Sequence, residues 1–319
     1  MRIYGPVPSR RFGLSLGVDL VPHKTCTLDC IYCQLGSTDN LISEPEVFYP
    51  ADEILADVEE ALDDGPRPDV ITLAGSGEPT LYAGLRDLVL ELRRLASGVP
   101  LLLITNGTLL WREEVGRAAL EVDILAPSLD AGSAAMLERI NRPHPDITLE
   151  RYVDGLEKVT NAFEGEIRLE VMLVAGVNDD DESMSAIAGI LKRLRYDRID
   201  LNTPVRPPLP ERGAVPCDER TLERAIEIFG PEAHPIGKFS PPSGRESAAE
   251  HVFDDRDKDV REMLLRRPCT MDDIAASLGM HRNHVIKILD RLVSAGLVES
   301  LPGENDVYYR VCGKALRGR

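Results

Sequence analysis

Three cysteines with the spacing C-x3-C-x2-C lie near the start of the chain: Cys26, Cys30 and Cys33. Three thiolates on one loop can ligate three irons of a cubane iron–sulfur cluster and leave the fourth iron without a protein ligand. Such an open site can bind a cofactor or substrate, as an open zinc site does. The alternative is a structural zinc site with His23 as its fourth ligand.

Glycine and polar residues follow three apolar runs that predict strands, at residues 75–78, 105–107 and 128–130. Glycine lets the backbone approach a ligand closely, and a carboxylate can accept hydrogen bonds from an ammonium group. The alternatives are an ordinary glycine turn and, for Asp130, a helix cap. The candidate binding residues in these segments are Gly75, Ser76, Gly77, Glu78, Asn106, Ser128 and Asp130.

Charged side chains occur inside the predicted strand at residues 167–175. Arg168, Glu170 and Met172 share one face by the two-residue period of a strand. Buried charge is costly unless it is paired or functional, so Glu170 is a candidate for ligand binding, and pairing with neighbouring charges is the alternative. Asn202, at the end of the next predicted strand, is a further candidate.

The elements that must position these residues alternate between strands and helices. Six strand–helix units, with the cysteine loop counted in the first, predict a parallel sheet covered by helices. Active sites of such sheets lie at the carboxyl ends of the strands, where the motifs fall. The predicted strands cover residues 16–20, 70–74, 101–105, 123–126, 167–175 and 198–203, and the helices 51–63, 85–96, 113–120, 134–140, 149–161 and 184–194.

The cysteine spacing, with Tyr32 just before the last cysteine, resembles the signature of the radical S-adenosylmethionine (SAM) superfamily. The resemblance covers residues 14–205, where the segments at 75–78, 105–107 and 128–130 follow in the family's order. It implies an α/β fold with a partial (β/α)6 barrel. It also implies a [4Fe–4S] cluster on Cys26, Cys30 and Cys33, whose open iron binds the amino and carboxylate groups of SAM.

The resemblance further implies roles for single residues. Tyr32 would lie beside the adenine of SAM, Ser128 and Asp130 would contact its ribose and carboxylate, and Asn202 would reach the adenine. An electron donor such as flavodoxin or ferredoxin would reduce the cluster, and SAM would be cleaved to a 5′-deoxyadenosyl radical that abstracts hydrogen from a substrate. The opening stretch from Gly5 to Gly36, together with the C-terminal winged helix, resembles a radical SAM branch whose nearest named relatives are the wyosine-type tRNA-modifying enzymes.

Composition and charge bound the remaining possibilities. Hydrophobic residues make up 43% and charged residues 29% of the 319, as in soluble globular proteins. We find no apolar run that predicts a membrane span and no secretory signal, so we expect a cytoplasmic protein without a membrane partner.

The net charge of −17 is uneven, because residues 251–319 carry +1 and the preceding 250 residues carry −18. This asymmetry places a boundary near residue 250. We expect a core over 1–205, a Pro- and Gly-rich extension and linker over 206–250, and a winged helix-turn-helix domain over 251–319.

Two groups of basic and polar residues are candidates for substrate or nucleic-acid binding. Arg10 and Arg11 precede the first predicted strand and could hold an anionic substrate, and a solvated N-terminal arm is the alternative. In the winged helix, the third helix would present its side chains to a nucleic acid, with RNA ahead of DNA, or to a protein. Its candidates are Arg282, Asn283, Lys287 and Arg291.

The whole pattern favours a radical SAM enzyme that modifies a macromolecule, with RNA docked by the winged helix. One alternative is a radical SAM maturase that acts on a peptide or protein. The other is an iron–sulfur or zinc redox sensor that binds DNA. A sensor has no need of the strand-end residues Glu78, Asn106 and Asp130, so their presence favours the enzyme.

Overall fold

The computed structural model describes residues 2–9, 11–204, 213–236, 256–303 and 306–312. Its strands are Ile3–Ser9 (β1), Gly13–Val18 (β2), Thr25–Cys26 (β3), Asn40–Leu41 (β4), Val70–Leu73 (β5), Leu101–Thr105 (β6), Ile124–Pro127 (β7), Glu166–Met172 (β8), Arg198–Asn202 (β9), Ala233–Pro235 (β10), Cys269–Thr270 (β11), Val298–Pro302 (β12) and Val307–Val311 (β13). Its α-helices are Ala51–Asp64 (α1), Leu85–Leu95 (α2), Glu113–Ala119 (α3), Ala134–Ile140 (α4), Leu149–Ala162 (α5), Asp181–Leu191 (α6), Glu219–Phe229 (α7), Arg256–Arg266 (α8), Met271–Ser277 (α9) and Arg282–Ser294 (α10).

The main sheet has the strand order β1-β2-β5-β6-β7-β8-β9-β10. All neighbours from β2 onward are parallel, and β1 alone is antiparallel to its neighbour. The α/β class is therefore confirmed, and the sheet is open, with β1 and β10 at its edges. The six predicted strands correspond to β2 and β5 to β9.

The alternation of side chains along the strands separates two environments. In β8, Ile167, Leu169 and Val171 are fully buried, whereas Arg168 and Glu170 lie half-buried on the opposite face. Apolar residues three and four apart on helices such as α2 pack against the sheet. Each fully buried aliphatic side chain contributes about 1.5–3 kcal/mol, so the sheet has a strong apolar core on one face and a polar face for function.

The N-terminal segment does not follow the alternative of a solvated arm, because residues 3–9 form strand β1. Proline conceals the strand in the sequence, since it is tolerated only at sheet edges or bulges, and β1 is an edge strand with a register shift between Tyr4 and Val7. The ring of Tyr4 packs directly on Gly17 of β2, where a Cβ atom would lie 1.9 Å from the ring. Arg10 lies outside the described residues.

The extension contains more regular structure than its composition indicates. The sequence also predicts a helix over residues 218–229, which is α7 in the structure. Strand β10 was not predicted, and it adds a parallel strand beside β9. The prolines that mark this region, at 207, 208, 210, 241 and 242, lie outside the described residues. The same holds for the predicted boundaries at 206 and 250.

The C-terminal segment has its own hydrophobic cluster, formed by α8, α9, α10 and the small sheet of β11, β13 and β12. The sequence predicts Thr270 as an N-cap, and in the structure Thr270 and Asp273 form a capping box that begins α9. Strand β11 was not predicted. The segment contacts the main sheet where the Arg266 guanidinium lies 4.2 Å from the centre of the Tyr4 ring.

Among the residues that the structure describes, no helix has the length and apolar character needed to cross a membrane.

Helix α6, which follows β8, offers a direct test of local stability. Asp180 accepts hydrogen bonds from the backbone N–H and hydroxyl of Ser183, at 2.9 and 2.8 Å, and these bonds hold the pKa of Asp180 below its ordinary value. We predict that Asp180→Ala lowers the free energy of unfolding by about 1 kcal/mol at neutral pH. Because the folded-state pKa is depressed, this difference is present above the unfolded pKa of about 3.9 and is lost as the pH falls through the folded value.

Denaturant unfolding at several pH values measures this effect. Asp180→Asn is the matched control, because asparagine caps as well as aspartate but does not titrate. An Asp180→Ala variant as stable as Asp180→Asn at neutral pH would contradict the cap.

Candidate functional site

The three predicted cysteine ligands lie on one loop that begins at β3. Cys26 ends β3, and the N–H of Cys33 donates to the carbonyl of Cys30 at 3.1 Å, which folds the loop into a turn. Burial is the main cause that raises the pKa of Cys26 to about 12, with further contributions from the Glu78 and Cys33 charges. Burial also raises the pKa of Cys30, and Asp130 and Cys26 raise it further. Burial therefore favours the neutral thiol form of Cys26 and Cys30.

The glycine-rich turn after β5 packs on the backbone just before Cys26. The N–H of Glu78 donates to the carbonyl of Thr25 at 3.0 Å, and the N–H of Lys24 donates to the carbonyl of Ser76 at 2.7 Å. A Cβ atom on Gly77 would lie 1.9 Å from the Thr25 oxygen. Glycine is required there, because no side chain fits between the two segments.

Asp19, which the sequence analysis missed, supports the same turn from the end of β2. Its Oδ2 accepts hydrogen bonds from the backbone N–H and the hydroxyl of Ser76, at 3.0 and 2.6 Å. A Cβ atom on Gly75 would lie 2.3 Å from the Asp19 carboxyl carbon. Asp19 Oδ1 is buried without a hydrogen-bond partner among the described residues, and burial raises the pKa of this carboxyl.

The carboxylate of Glu78 is buried and joins the ends of β5 and β6. It accepts hydrogen bonds from the backbone N–H of Thr80 at 3.1 Å, the Thr105 hydroxyl at 2.5 Å and the backbone N–H of Asn106 at 2.8 Å. Burial raises its pKa, and these donors oppose the rise. Glu78 follows β5, as the sequence predicts, and its hydrogen bonds to Thr105 and Asn106 position the end of β6.

Asn106, held by Glu78 through its backbone, reaches the cysteine loop with its side chain. Its Nδ2 donates to the Thr27 hydroxyl at 2.7 Å and lies 3.6 Å from Cys26 Sγ. Its Oδ1 accepts from the backbone N–H and the hydroxyl of Thr108. The side-chain amide is thereby fixed in orientation against the first cysteine.

The carboxylate of Asp130 has the equivalent position at the end of β7. It accepts hydrogen bonds from the Tyr32 hydroxyl, from Asn141 Nδ2 at 2.8 Å and from the backbone N–H of Met172 at 2.9 Å. Burial raises its pKa. The helix-cap alternative is wrong, because Ser133 caps α4.

Three neighbours of Asp130 complete this side of the site. Asn141 Nδ2 also lies 3.4 Å from Cys30 Sγ, and Asn141 Oδ1 is buried without a partner among the described residues. Asn178 is fully buried and donates to the carbonyls of Asp130 and Met172. The carbonyl of Ser128 accepts from the Tyr152 hydroxyl. Periodicity gives no signal for the two asparagines, since their partners lie on other elements.

A second group of predicted residues forms an ion network on the polar face of β8 and β9. Arg11 pairs with Glu170 and lies 3.4 Å from Asp200 Oδ2. Asn202 Nδ2 donates to Glu170 at 3.4 Å, and Arg168 pairs with Glu166. Glu170 therefore pairs with a charged side chain, Arg11, which was the alternative to ligand binding. Asp200 also belongs to this ion network and was not predicted.

The candidates on α10 are all exposed and lie in the C-terminal segment, away from the cysteine loop along the chain. Arg282 pairs with Asp272 at 3.4 Å and Arg291 with Asp257 at 2.5 Å. Among the described residues no ion pair involves Lys287. Asn283 donates its backbone N–H to the His281 side chain at the start of the helix.

The donor set fits a cubane cluster better than a single ion. Within the described ranges, no three His, Cys, Asp or Glu side chains are grouped to hold one metal ion, and His23 is exposed. A cubane spreads its three thiolates over three irons, and amide donors to the sulfurs are typical outer-shell contacts. Cys26 and Cys30 have such donors in Asn106 and Asn141, and two buried acceptors remain without partners.

Comparison with known proteins gives one family match and one relative of similar length. A sequence profile described as the Radical SAM superfamily matches residues 20–186, which is more than half of the chain. A UPF0026 protein of Methanocaldococcus jannaschii is 31% identical over 314 residues, which cover 96% of this chain and 94% of that protein.

Two further proteins are similar to this chain, one in sequence over part of its length and one in structure. A Brachyspira hyodysenteriae protein named GTPase Obg is 37% identical over 297 residues, but the match covers 93% of this chain and 43% of that protein. A solved structure of TYW1 with a lysine-pyruvate adduct bound has a TM-score of 0.51 at 19% identity, over 71% of this chain and 75% of that one. At this identity the similarity concerns the fold.

The contact between Gly77 and Thr25 predicts a large effect of a small change. Gly77→Ala should destabilise the chain by about 1–3 kcal/mol, because the added methyl group collides with backbone. The matched control is Gly189→Ala in α6, where a Cβ atom would have no neighbour within 4 Å. There we expect a neutral to stabilising change of up to about 1 kcal/mol. Denaturant unfolding of both variants checks this, and equal stability of the two would refute the close approach.

Proposed function

This chain belongs to the radical SAM superfamily and to its UPF0026 proteins, and from that premise we propose that it binds a [4Fe–4S] cluster through Cys26, Cys30 and Cys33 and cleaves SAM reductively. One observation carries the proposal: the polar ends of β5, β6 and β7 converge on the loop that holds the three thiols, through Glu78, Asn106 and Asp130. A redox-sensing regulator would need the loop but not this convergence.

When the cluster and SAM are bound, they supply a 5′-deoxyadenosyl radical that abstracts hydrogen from a substrate. The protein residues hold and orient these groups. The thiols of Cys26 and Cys30 are neutral when unligated, so ligation must release their protons. Asn106 and Asn141 donate N–H groups at the sulfurs, and the free oxygens of Asp19 and Asn141 can accept hydrogen bonds from SAM, whose ammonium and ribose hydroxyls are donors.

We further propose that the C-terminal segment is a winged helix that docks RNA. Its order of α8, β11, α9, α10 and the β12–β13 hairpin fits this motif. The N-terminal end of α10 exposes Asn283 and the cation Lys287, which has no ion pair among the described residues. Arg266 stacks on the ring of Tyr4 in β1, and the same ring packs on Gly17. The Tyr4 hydroxyl donates to the Ala74 carbonyl at 3.3 Å, next to the glycine-rich turn. These contacts support the proposal, because they put the C-terminal segment near that turn.

Anaerobic reconstitution with iron and sulfide, followed by dithionite and SAM, tests the enzyme class. We expect release of 5′-deoxyadenosine, detected by mass spectrometry. Cys30→Ala should abolish it, because one iron loses its ligand. Cys217→Ala is the matched control, since Cys217 is buried near Thr203 outside the cysteine loop, and should retain the product. A reconstituted protein that holds a cluster but releases no 5′-deoxyadenosine would overturn the proposal.

Binding of unfractionated tRNA at several salt concentrations tests the docking surface. We expect the double variant Asn283→Ala/Lys287→Ala to weaken binding and to lower the salt slope by about one, as for the loss of one phosphate contact. Lys158→Ala is the matched control, because this exposed lysine lies on α5 in the main domain. Equal binding by the double variant and the control would contradict RNA docking by α10 and would favour a peptide or protein substrate.

A further inference from the structure

Two asparagine side chains from different elements reach cysteines of the loop. Asn106, after β6, lies 3.6 Å from Cys26 Sγ, and Asn141, after α4, lies 3.4 Å from Cys30 Sγ. Each is backed by a buried carboxylate, Glu78 for Asn106 and Asp130 for Asn141. The arrangement is repeated on elements far apart in sequence, so it is a property of the site and not of one local turn.

The two asparagines differ in how they use the carboxylate. Glu78 accepts the backbone N–H of Asn106, and the Asn106 side chain donates to the Thr27 hydroxyl as well as toward Cys26. Asp130 instead accepts from Asn141 Nδ2, the same nitrogen that lies beside Cys30 Sγ. The amide of Asn141 therefore stands between two groups that are negative when Cys30 ligates iron.

That position has an electrostatic consequence. A thiolate ligand and a carboxylate repel each other at close range, and each loses stability as its charge is buried. An amide nitrogen has two N–H donors, one for each group. Hydrogen bonds to cluster sulfurs stabilise the more negative, reduced state and raise its reduction potential. Without the amide, Cys30 loses this N–H donor, whereas Asp130 keeps the Tyr32 hydroxyl and the Met172 N–H.

We propose that Asn141 is a positioning residue that bridges the Cys30 thiolate and the Asp130 carboxylate through its two N–H groups, and that this bridge sets the reduction potential of the cluster and supports SAM binding. The inference rests on the proposed function, because it concerns the cluster held by the three cysteines. Asn106 acts in the same direction on Cys26 but more weakly, since its distance to sulfur is longer and its side chain does not contact the carboxylate.

The free oxygen of the same side chain links the bridge to SAM. Asn141 is 3% exposed, and its Oδ1 has no hydrogen-bond partner among the described residues. Its nitrogen is committed to Cys30 and Asp130, so its oxygen is a buried acceptor of fixed orientation. A ligand donor that meets this oxygen would satisfy a group that is otherwise costly to bury.

The test is a redox titration of the reconstituted full-length protein without SAM. Electron paramagnetic resonance measures the fraction of reduced cluster at each potential. Relative to wild type, Asn141→Ala should make reduction about tenfold less favourable, which is a fall of ~59 mV for one electron. Asn106→Ala should shift the potential in the same direction by less. Asn161→Ala, which removes an exposed asparagine that donates to the Arg193 carbonyl, is the matched control and should leave the potential unchanged.

SAM affinity of the oxidised, cluster-loaded proteins gives a second readout. Asn141→Ala should weaken SAM binding about tenfold, the effect of losing one hydrogen bond to a buried acceptor. Asn141→Ser retains a single hydroxyl donor and should give intermediate values of both quantities.

The outcomes separate this inference from the proposed function. A wild-type protein that takes up no cluster would defeat the proposed function and this inference with it. A loaded Asn141→Ala protein with wild-type potential and SAM affinity would defeat the inference alone. If neither Asn141→Ala nor Asn141→Ser loads iron while Asn161→Ala does, Asn141 is needed for the structure of the loop, and the tuning role is overturned.

Discussion

The arrangement of this site depends on the burial of two carboxylates. Glu78 and Asp130 are each 2% exposed, and a buried carboxylate is tolerable only if donors surround it. The donors are the ends of neighbouring elements: Thr105 and Asn106 after β6 for the first, Tyr32, Asn141 and Met172 for the second. Satisfying the two charges thereby fixes the strand ends against the cysteine loop.

The sequence predicts the sheet well because strands such as β5 and β6 stand out as apolar runs. Strand β6 was predicted with its observed bounds, and β5, β7, β8 and β9 lie within one to three residues. Strand β1 was missed because its prolines and glycine argue against a strand, and only the edge position makes them acceptable. Strand β10 was missed because a strand of three residues is too short to show an alternation of apolar and polar side chains.

The site was predicted in part, for a related physical reason. Glu78, Asn106 and Asp130 were predicted because each follows a strand, where parallel sheets collect their functional groups, and their contacts with SAM stay a prediction. Asn141, Asn178 and Asp19 were not singled out, because their importance lies in partners on other elements. The same limit applies to Arg11, whose carboxylate partner Glu170 is 159 residues away. A residue type and a spacing can indicate what a side chain offers, whereas its partner depends on the tertiary fold.

The neutral state of the unligated thiols has a consequence for the chain before it acquires a cluster. The thiolate, and not the thiol, is the form that reacts with oxidants and electrophiles. Burial raises the pKa of the Cys26 and Cys30 thiols, so before a cluster is bound these two groups react less readily with oxidants than exposed cysteines of ordinary pKa.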